Sequence, residues 1–173
     1  MLVLVLLLAQ DILPRCDCDG AKPETLAQRF CSLSNEAENQ PAEPPVFFLK
    51  DINPRKPNRT LALPRRHGPG RYSLDALTPS ERTQLWTAAI EKARELWGDQ
   101  WAVAYNGDKV RTQCHIHLHI GKLNAAAKRS DFLVVSKPSE IPAPQGSGIW
   151  IYEERGKLRV HLGEQITETA LIR

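Results

Sequence analysis

Two hydrophobic periods divide the chain. Apolar residues recur at helical spacing as Leu85, Trp86, Ala89, Ile90, Ala93, Leu96 and Trp97, which predicts one long amphipathic helix. Thr78-Pro-Ser-Glu81 supplies its start, with Thr at the N-cap, Pro at the first helical position and Glu closing a capping box, and Gly98 supplies its stop. Short apolar or alternating runs predict strands over residues 46–50, 59–63, 100–105, 113–120, 149–152 and 158–162. The Pro- and Asn-rich residues 52–58 join the first two strands as a hairpin, Asn106-Gly107 turns the chain after the third, and Glu154-Arg-Gly-Lys157 closes another hairpin. Leu26, Phe30 and Leu33 share one face of a shorter helix over residues 24–38. The prolines of residues 39–45 make the following stretch an extended linker.

The strictest alternation runs from Arg111 to Gly121, where His115, His117 and His119 are separated by Ile116 and Leu118. On a half-buried strand this pattern sends all three imidazoles to one face and Cys114, Ile116, Leu118 and Ile120 to the core. The chain has five histidines in 173 residues, so three on one strand face concentrate chemistry rather than packing. Such a row can serve phosphate-ester chemistry, metal binding, or simply a polar face. A single metal shared by all three is disfavoured: Cα atoms four residues apart on a strand lie roughly 13 Å from one another, whereas a Zn–N bond spans about 2.1 Å. Neutral imidazole is nucleophilic near neutral pH, and its neighbours can hydrogen-bond phosphoryl oxygens or protonate a leaving group. His67, in a Gly/Pro loop, and His161, in the last hairpin, read as surface or structural residues.

Composition narrows the picture further. At 42% hydrophobic and 25% charged, the chain suits one globular domain with terminal extensions. It divides into residues 1–15, a signal or anchor remnant; 16–45, a helical and linker extension; 46–123, a catalytic core; and 124–173, an extension ending in a hairpin. The apolar run Met1-Leu-Val-Leu-Val-Leu-Leu-Leu-Ala9 is far short of a bilayer span and lacks a positive leader, so it reads as the end of a secretory signal or anchor, against a buried segment as the alternative. Four cysteines beside such a run favour an oxidising, extracytoplasmic compartment, with Cys31 paired to Cys16 or Cys18 and Cys114 left as a buried neutral thiol. A net charge of +3 is too weak to indicate a nucleic-acid partner. Basic residues do gather locally, as Arg55, Lys56, Arg59, Arg65 and Arg66 and then Lys109 and Arg111, either as a solvated loop face or as a phosphate-attracting rim. There is no Gly-rich phosphate loop and no carboxylate cluster suited to magnesium, so no metal or cofactor is expected.

The segment His115-Ile-His117-Leu-His119-Ile resembles the signature of the histidine triad (HIT) superfamily of nucleotidyl hydrolases and transferases. The similarity runs from about Val46 to Gly121: Val46-Phe-Phe-Leu-Lys-Asp51-Ile52-Asn-Pro and Arg59-Thr-Leu-Ala-Leu-Pro64 are similar to its strand, turn and second strand. The Arg111-Thr112-Gln113 lead-in resembles the bacterial CDP-diacylglycerol pyrophosphatase branch, which releases CMP and phosphatidate. Arg59 stands where the intracellular nucleotide-binding branch carries a histidine, and Lys122-Leu123 where it carries Gly-Gly, both pointing away from the purine nucleoside phosphoramidase type. The resemblance implies an α+β, HIT-like fold, an antiparallel sheet with one long helix packed on it. It implies that His117 attacks the α-phosphorus to form a nucleotidyl-histidine, that His119 assists at the leaving phosphate, and that His115 holds the nucleophile in place. It further implies that Asn106 and Thr112 contact phosphate, with Gln113 beside them, and that Asp51 binds ribose with Ile52 next to the base. To these the residue chemistry adds Arg111, whose guanidinium can donate two charge-assisted hydrogen bonds to a pyrophosphate. The expected partner is a nucleotide or CDP-lipid whose tail is touched by Trp150 or Phe132, with a membrane surface and a homodimer as further candidates. The alternatives are another histidine triad hydrolase or transferase acting on dinucleoside polyphosphates or phosphoramidates, and a non-catalytic exported metal binder.

Overall fold

Antiparallel pairing joins seven strands of the described residues into one sheet, in the order β1-β2-β4-β3-β6-β7-β5. The strands are β1 (Val46–Lys50), β2 (Thr60–Pro64), β3 (Trp101–Tyr105), β4 (Leu118–Lys122), β5 (Leu133–Val135), β6 (Gly148–Glu154) and β7 (Lys157–Glu164). The protein is known here as a computed structural model that describes residues 11–41, 43–66 and 68–173. The apolar run at residues 1–9 and His67 therefore lie outside the described residues. Among those described, no helix is long and apolar enough to cross a membrane.

The long helix α3 (Pro79–Trp97) follows its sequence signals closely. Thr78 accepts from the Glu81 backbone N–H while the Glu81 carboxylate accepts from the Thr78 backbone N–H, and Gly98 ends the helix with φ +54°, a conformation that favours glycine. Leu85, Trp86, Ala89, Ile90 and Ala93 bury its apolar stripe against Ala62, Val103, Leu118, Ile120, Ile151 and Val160 of the sheet, and Leu96 at the helix end is left exposed. The result is an α+β architecture with one long helix covering one sheet face. Residues 124–173 contribute three of the seven strands, so the sheet continues without a break into the C-terminal region. Its hairpin turns through Arg155 and Gly156, both with positive φ, the two-residue geometry that matches strand twist.

Three local expectations are corrected. The helix over residues 24–38 is broken into α1 (Pro23–Leu26), a 3₁₀ turn (Arg29–Cys31) and α2 (Ser32–Glu38). Gln28 adopts extended backbone between them, and Cys31 is drawn into a disulfide with Cys18. The strand expected over residues 113–120 instead begins at Leu118. Cys114 is not a free thiol: it is bonded to Cys16, and its backbone N–H donates to the Phe30 carbonyl, 2.8 Å away, instead of to a neighbouring strand. Alternation thus continues through residues 113–117, but the ladder does not, because the N-terminal segment has claimed this stretch.

Candidate catalytic cleft

The sheet register sets Leu49, Leu61, His119, Ala104, Trp150 and His161 in one row across the face opposite α3. His119 is at the centre of that row. The N-terminal segment packs over the β1–β2 side through Ala37, Phe47, Leu61 and Leu63, and the C-terminal segment covers β3 and β6 through Ala170 and Leu171. Between the two lies a cleft of about 730 Å³ whose lining includes Asp51, Ile52, Thr112, Gln113, His117 and His119.

The histidine row is not one line of equivalent side chains. The His117 and His119 rings stand edge to face with centroids 5.0 Å apart, both opening on the cleft. His115 turns elsewhere: its Nε2 bonds the Pro64 carbonyl at 2.8 Å and its ring lies beside Phe47. Phe47 shares its sheet face with Leu49 and Leu61, so the three imidazoles do lie on the side opposite α3, but His115 is not among the residues lining the cleft. The His115 backbone carbonyl nevertheless bears on its neighbour. It accepts from Nδ1 of His117 at 2.8 Å, so in the neutral ring Nδ1 carries the proton and Nε2 keeps its lone pair. Burial pushes the His117 pKa down to about 4, with Arg111 adding to that effect against the His115 hydrogen bond. Burial, then the neighbouring His117, Arg59 and Lys56, hold His119 well below the ordinary histidine range. Both are neutral bases near pH 7, and neither ring nitrogen of the buried His119 makes a hydrogen bond within the described residues.

Asp51 follows directly on β1 with Oδ1 accepting from the Asn53 backbone, and Ile52 beside it is 97% exposed at the rim, an apolar surface offered to solvent with no packing role. Thr112 is exposed at the cleft wall. Gln113 reaches the cleft but also fastens the N-terminal segment, accepting from Ser32 Oγ and the Leu33 N–H and donating to the Arg29 carbonyl. Two expected phosphate contacts stand outside the lining. Asn106 is buried, and its Oδ1 accepts from the Thr167 and Glu168 backbone N–H groups and the Thr167 hydroxyl. Arg111 is buried as well, with Nη2 donating to Asp108 (2.8 Å) and to the Tyr72 carbonyl (2.6 Å). Trp150, expected against a lipid tail, is 2% exposed and stacked on the His161 ring at 3.8 Å, and Phe132 packs edge-on to the same imidazole. His161 is thus a buried structural ring.

The residue that sequence reasoning missed is Glu168. Its carboxylate accepts from Lys56 and Arg59 and lies 3.9 Å from Nδ1 of His119, in a segment held in place by Asn106. Nothing local marks it, since its two cationic partners, Lys56 and Arg59, are more than a hundred residues away in the chain. Arg59 and Lys56 are accordingly neither a solvated face nor a free phosphate rim: Arg59 is 2% exposed and also donates to the Glu168 and Leu171 carbonyls. Among the described residues, the one gathering of three or more potential metal-ligating atoms is Cys18, Cys31 and Cys114, all taken up in disulfides. Compared with known proteins, the chain matches no family model and no curated protein.

Proposed function

We propose that this protein is a histidine triad-type hydrolase that cleaves a nucleotide phosphoanhydride, with CDP-diacylglycerol as substrate and CMP and phosphatidate as products. The observation that carries this reading is the His117–His119 pair: two neutral, adjacent imidazoles on one cleft wall, with His117 Nε2 left as the nucleophilic nitrogen by the bond from Nδ1 to the His115 carbonyl. In the first step Nε2 attacks the α-phosphorus and the bond to the bridging oxygen breaks, so that the distal phosphate leaves with the bonding pair. Water then attacks the same phosphorus, the P–N bond breaks, its electrons return to Nε2, and the proton from water passes to solvent or to His119. A nucleotide monophosphate is released.

The supporting residues have separate tasks. His119, without a hydrogen bond of its own and with its ring centroid 5.0 Å from that of His117, is placed to hydrogen-bond phosphoryl oxygens, with Glu168 positioned to stabilise it when it carries a proton. Asp51 and Ile52 offer a carboxylate and an apolar surface in the lining of the same cleft, suited to a ribose hydroxyl and the face of a base. Arg111 acts at one remove, as a buried cation that favours the neutral form of His117.

The test is a substrate screen with the full chain: CDP-diacylglycerol, CDP-alcohols, dinucleoside polyphosphates and nucleoside phosphoramidates, each with and without chelator. CMP release together with a one-nucleotide mass increment on His117 in quenched samples is the expected result. Cleavage of adenine dinucleotides with no CMP from any cytidine substrate would refute the lipid assignment, and turnover by His117→Ala would refute the mechanism.

A further inference from the structure

We propose that a second recess beside the histidine cleft binds a phosphomonoester carrying an apolar chain. In the reaction proposed above, on which this placement rests, that ligand is the leaving group. The recess holds about 270 Å³ and is lined by Ile12, Arg15, Arg29, Phe30, Arg111 and Thr112. Arg29 and Thr112 line the histidine cleft too, so the two cavities share a wall, as the two halves of one pyrophosphate require.

Charge and burial specify the ligand. The Arg111 side chain is fully buried behind the wall, with Nη2 bonded to Asp108 and the Tyr72 carbonyl and the guanidinium over the Tyr105 ring, so it adds positive charge behind the recess and no donor inside it. The donors that reach the recess are the guanidinium groups of Arg15 and Arg29, and an anionic oxygen is the group that such donors bind best. Arg15 and Arg29 are exposed at the mouth, and no carboxylate pairs with either guanidinium among the described residues. The one carboxylate bonded to this trio is Asp108, which offsets Arg111 and leaves two cations for a phosphate dianion. Ile12 and Phe30 complete the lining with apolar surface, and Ile12 belongs to a buried cluster with Leu26 and Tyr72. A free inorganic phosphate has no use for that half of the recess. An alkyl phosphate uses both.

The walls are also built rather than incidental. Three separate stretches meet here, and each is fastened to another: Cys16, next to Arg15, is bonded to Cys114; the Cys114 N–H donates to the Phe30 carbonyl; and Gln113 Nε2 donates to the Arg29 carbonyl at 2.9 Å. Backbone fixed in this way avoids part of the ordering cost of binding. The recess also replaces Trp150 and Phe132 as the place for the apolar end of the substrate.

Binding measured by calorimetry on the oxidised full chain tests this without turnover. Hexyl phosphate should bind at least tenfold more tightly than inorganic phosphate or hexanol, and the double variant Arg15→Glu, Arg29→Glu should weaken it by about 10- to 100-fold, the range for lost charge-assisted bonds. Both side chains are exposed, so circular dichroism of the variant should match wild type. His117→Ala should retain hexyl phosphate binding, which separates this site from the catalytic reading. Equal affinity in wild type and double variant, or equal affinity for inorganic phosphate, overturns the proposal. Binding to phosphatidate-containing vesicles with none to hexyl phosphate would overturn it in favour of a membrane-surface contact. Failure of CMP release with hexyl phosphate binding intact would count against the reaction alone.

Discussion

Removing the Cys16–Cys114 disulfide should destabilise the protein more than removing Cys18–Cys31, although both join the same N-terminal segment. The first closes a separation of 98 residues and the second of 13. In the chain-entropy account, loops of those lengths restrict the unfolded chain by about 4.7 and about 3 kcal/mol, a difference of roughly 2 kcal/mol. Against the ~5–15 kcal/mol stability of an ordinary domain, the longer bridge alone is a large fraction. Paired alanine variants, Cys16→Ala with Cys114→Ala and Cys18→Ala with Cys31→Ala, keep the comparison free of unpaired thiols. Urea denaturation of the oxidised proteins should place the first midpoint well below the second, with comparable slopes. The first variant should also lose turnover at temperatures where it remains folded, since residues 111–117 are then free of their anchor. An equal or larger loss in the Cys18/Cys31 variant would refute the reasoning, as would four reactive thiols in protein isolated without reductant.

Other consequences are accessible to simple measurements. His117→Ala should lower kcat by several orders of magnitude with a modest stability loss of about 1 kcal/mol, and near-wild-type turnover would exclude a covalent role. Burial lowers the His117 pKa from 6.5 to about 4, so below pH 6.5 the unfolded chain binds a proton that the folded chain refuses. Stability should therefore fall as pH drops from about 6.5 to 4, by about 3 kcal/mol for this group, and His117→Asn should flatten the decline in urea midpoint; a midpoint that holds steady across that window in wild type refutes the assignment. Arg111→Ala leaves Asp108 buried without its cation and should cost about 3–5 kcal/mol in urea unfolding, with Arg111→Lys recovering part; a wild-type midpoint for the alanine variant would contradict the buried pair. Glu168→Gln should shift the acid limb of the kcat profile to lower pH, because a protonated His119 loses its nearby carboxylate, while an unchanged profile would remove Glu168 from the site.

Much of the fold was legible because local signals and tertiary packing agree. The capping box at Thr78, the stripe from Leu85 to Ala93 and the stop at Gly98 are each sufficient locally, and the helix forms between them. The strands at residues 46–50 and 101–105 and the final hairpin are read from alternation and turn residues for the same reason. What was not legible depends on distant partners. Alternation around Cys114 has the correct period for a strand, but the disulfide to Cys16 and the bond to Phe30 override it. Arg111 next to a histidine row invites a phosphate contact, yet Asp108, three residues earlier, takes Nη2. Asn106 is likewise consumed by the backbone of Thr167 and Glu168, and no local pattern discloses contacts of that span. Chemistry-bearing residue types were found in sequence more readily than the directions in which they point.

The placement of the terminal segments explains why those directions matter. Were the sheet face around His119 open to water, its imidazole would titrate near the ordinary value and carry a mixed charge at neutral pH. Chain on both sides of it closes that face: residues around Gln113 and Leu33 from one side, and Glu168 with Arg59 and Lys56 from the other. Desolvation then makes both histidines neutral, and the same enclosure strengthens the field of Arg111, Arg59 and Lys56 on those rings; a phosphate substrate of the kind proposed would require both nearby cations and a neutral nucleophile. The two requirements conflict in water, where cations attract a phosphate but a histidine nucleophile is partly protonated. Burial reconciles them by removing charge from the imidazoles of His117 and His119, whose ordinary pKa is low enough to yield, while Lys56 and Arg59 stay in their ion pairs with Glu168. The extensions at both ends of the chain therefore set the chemical state of the histidines, as well as the shape of the cleft around them.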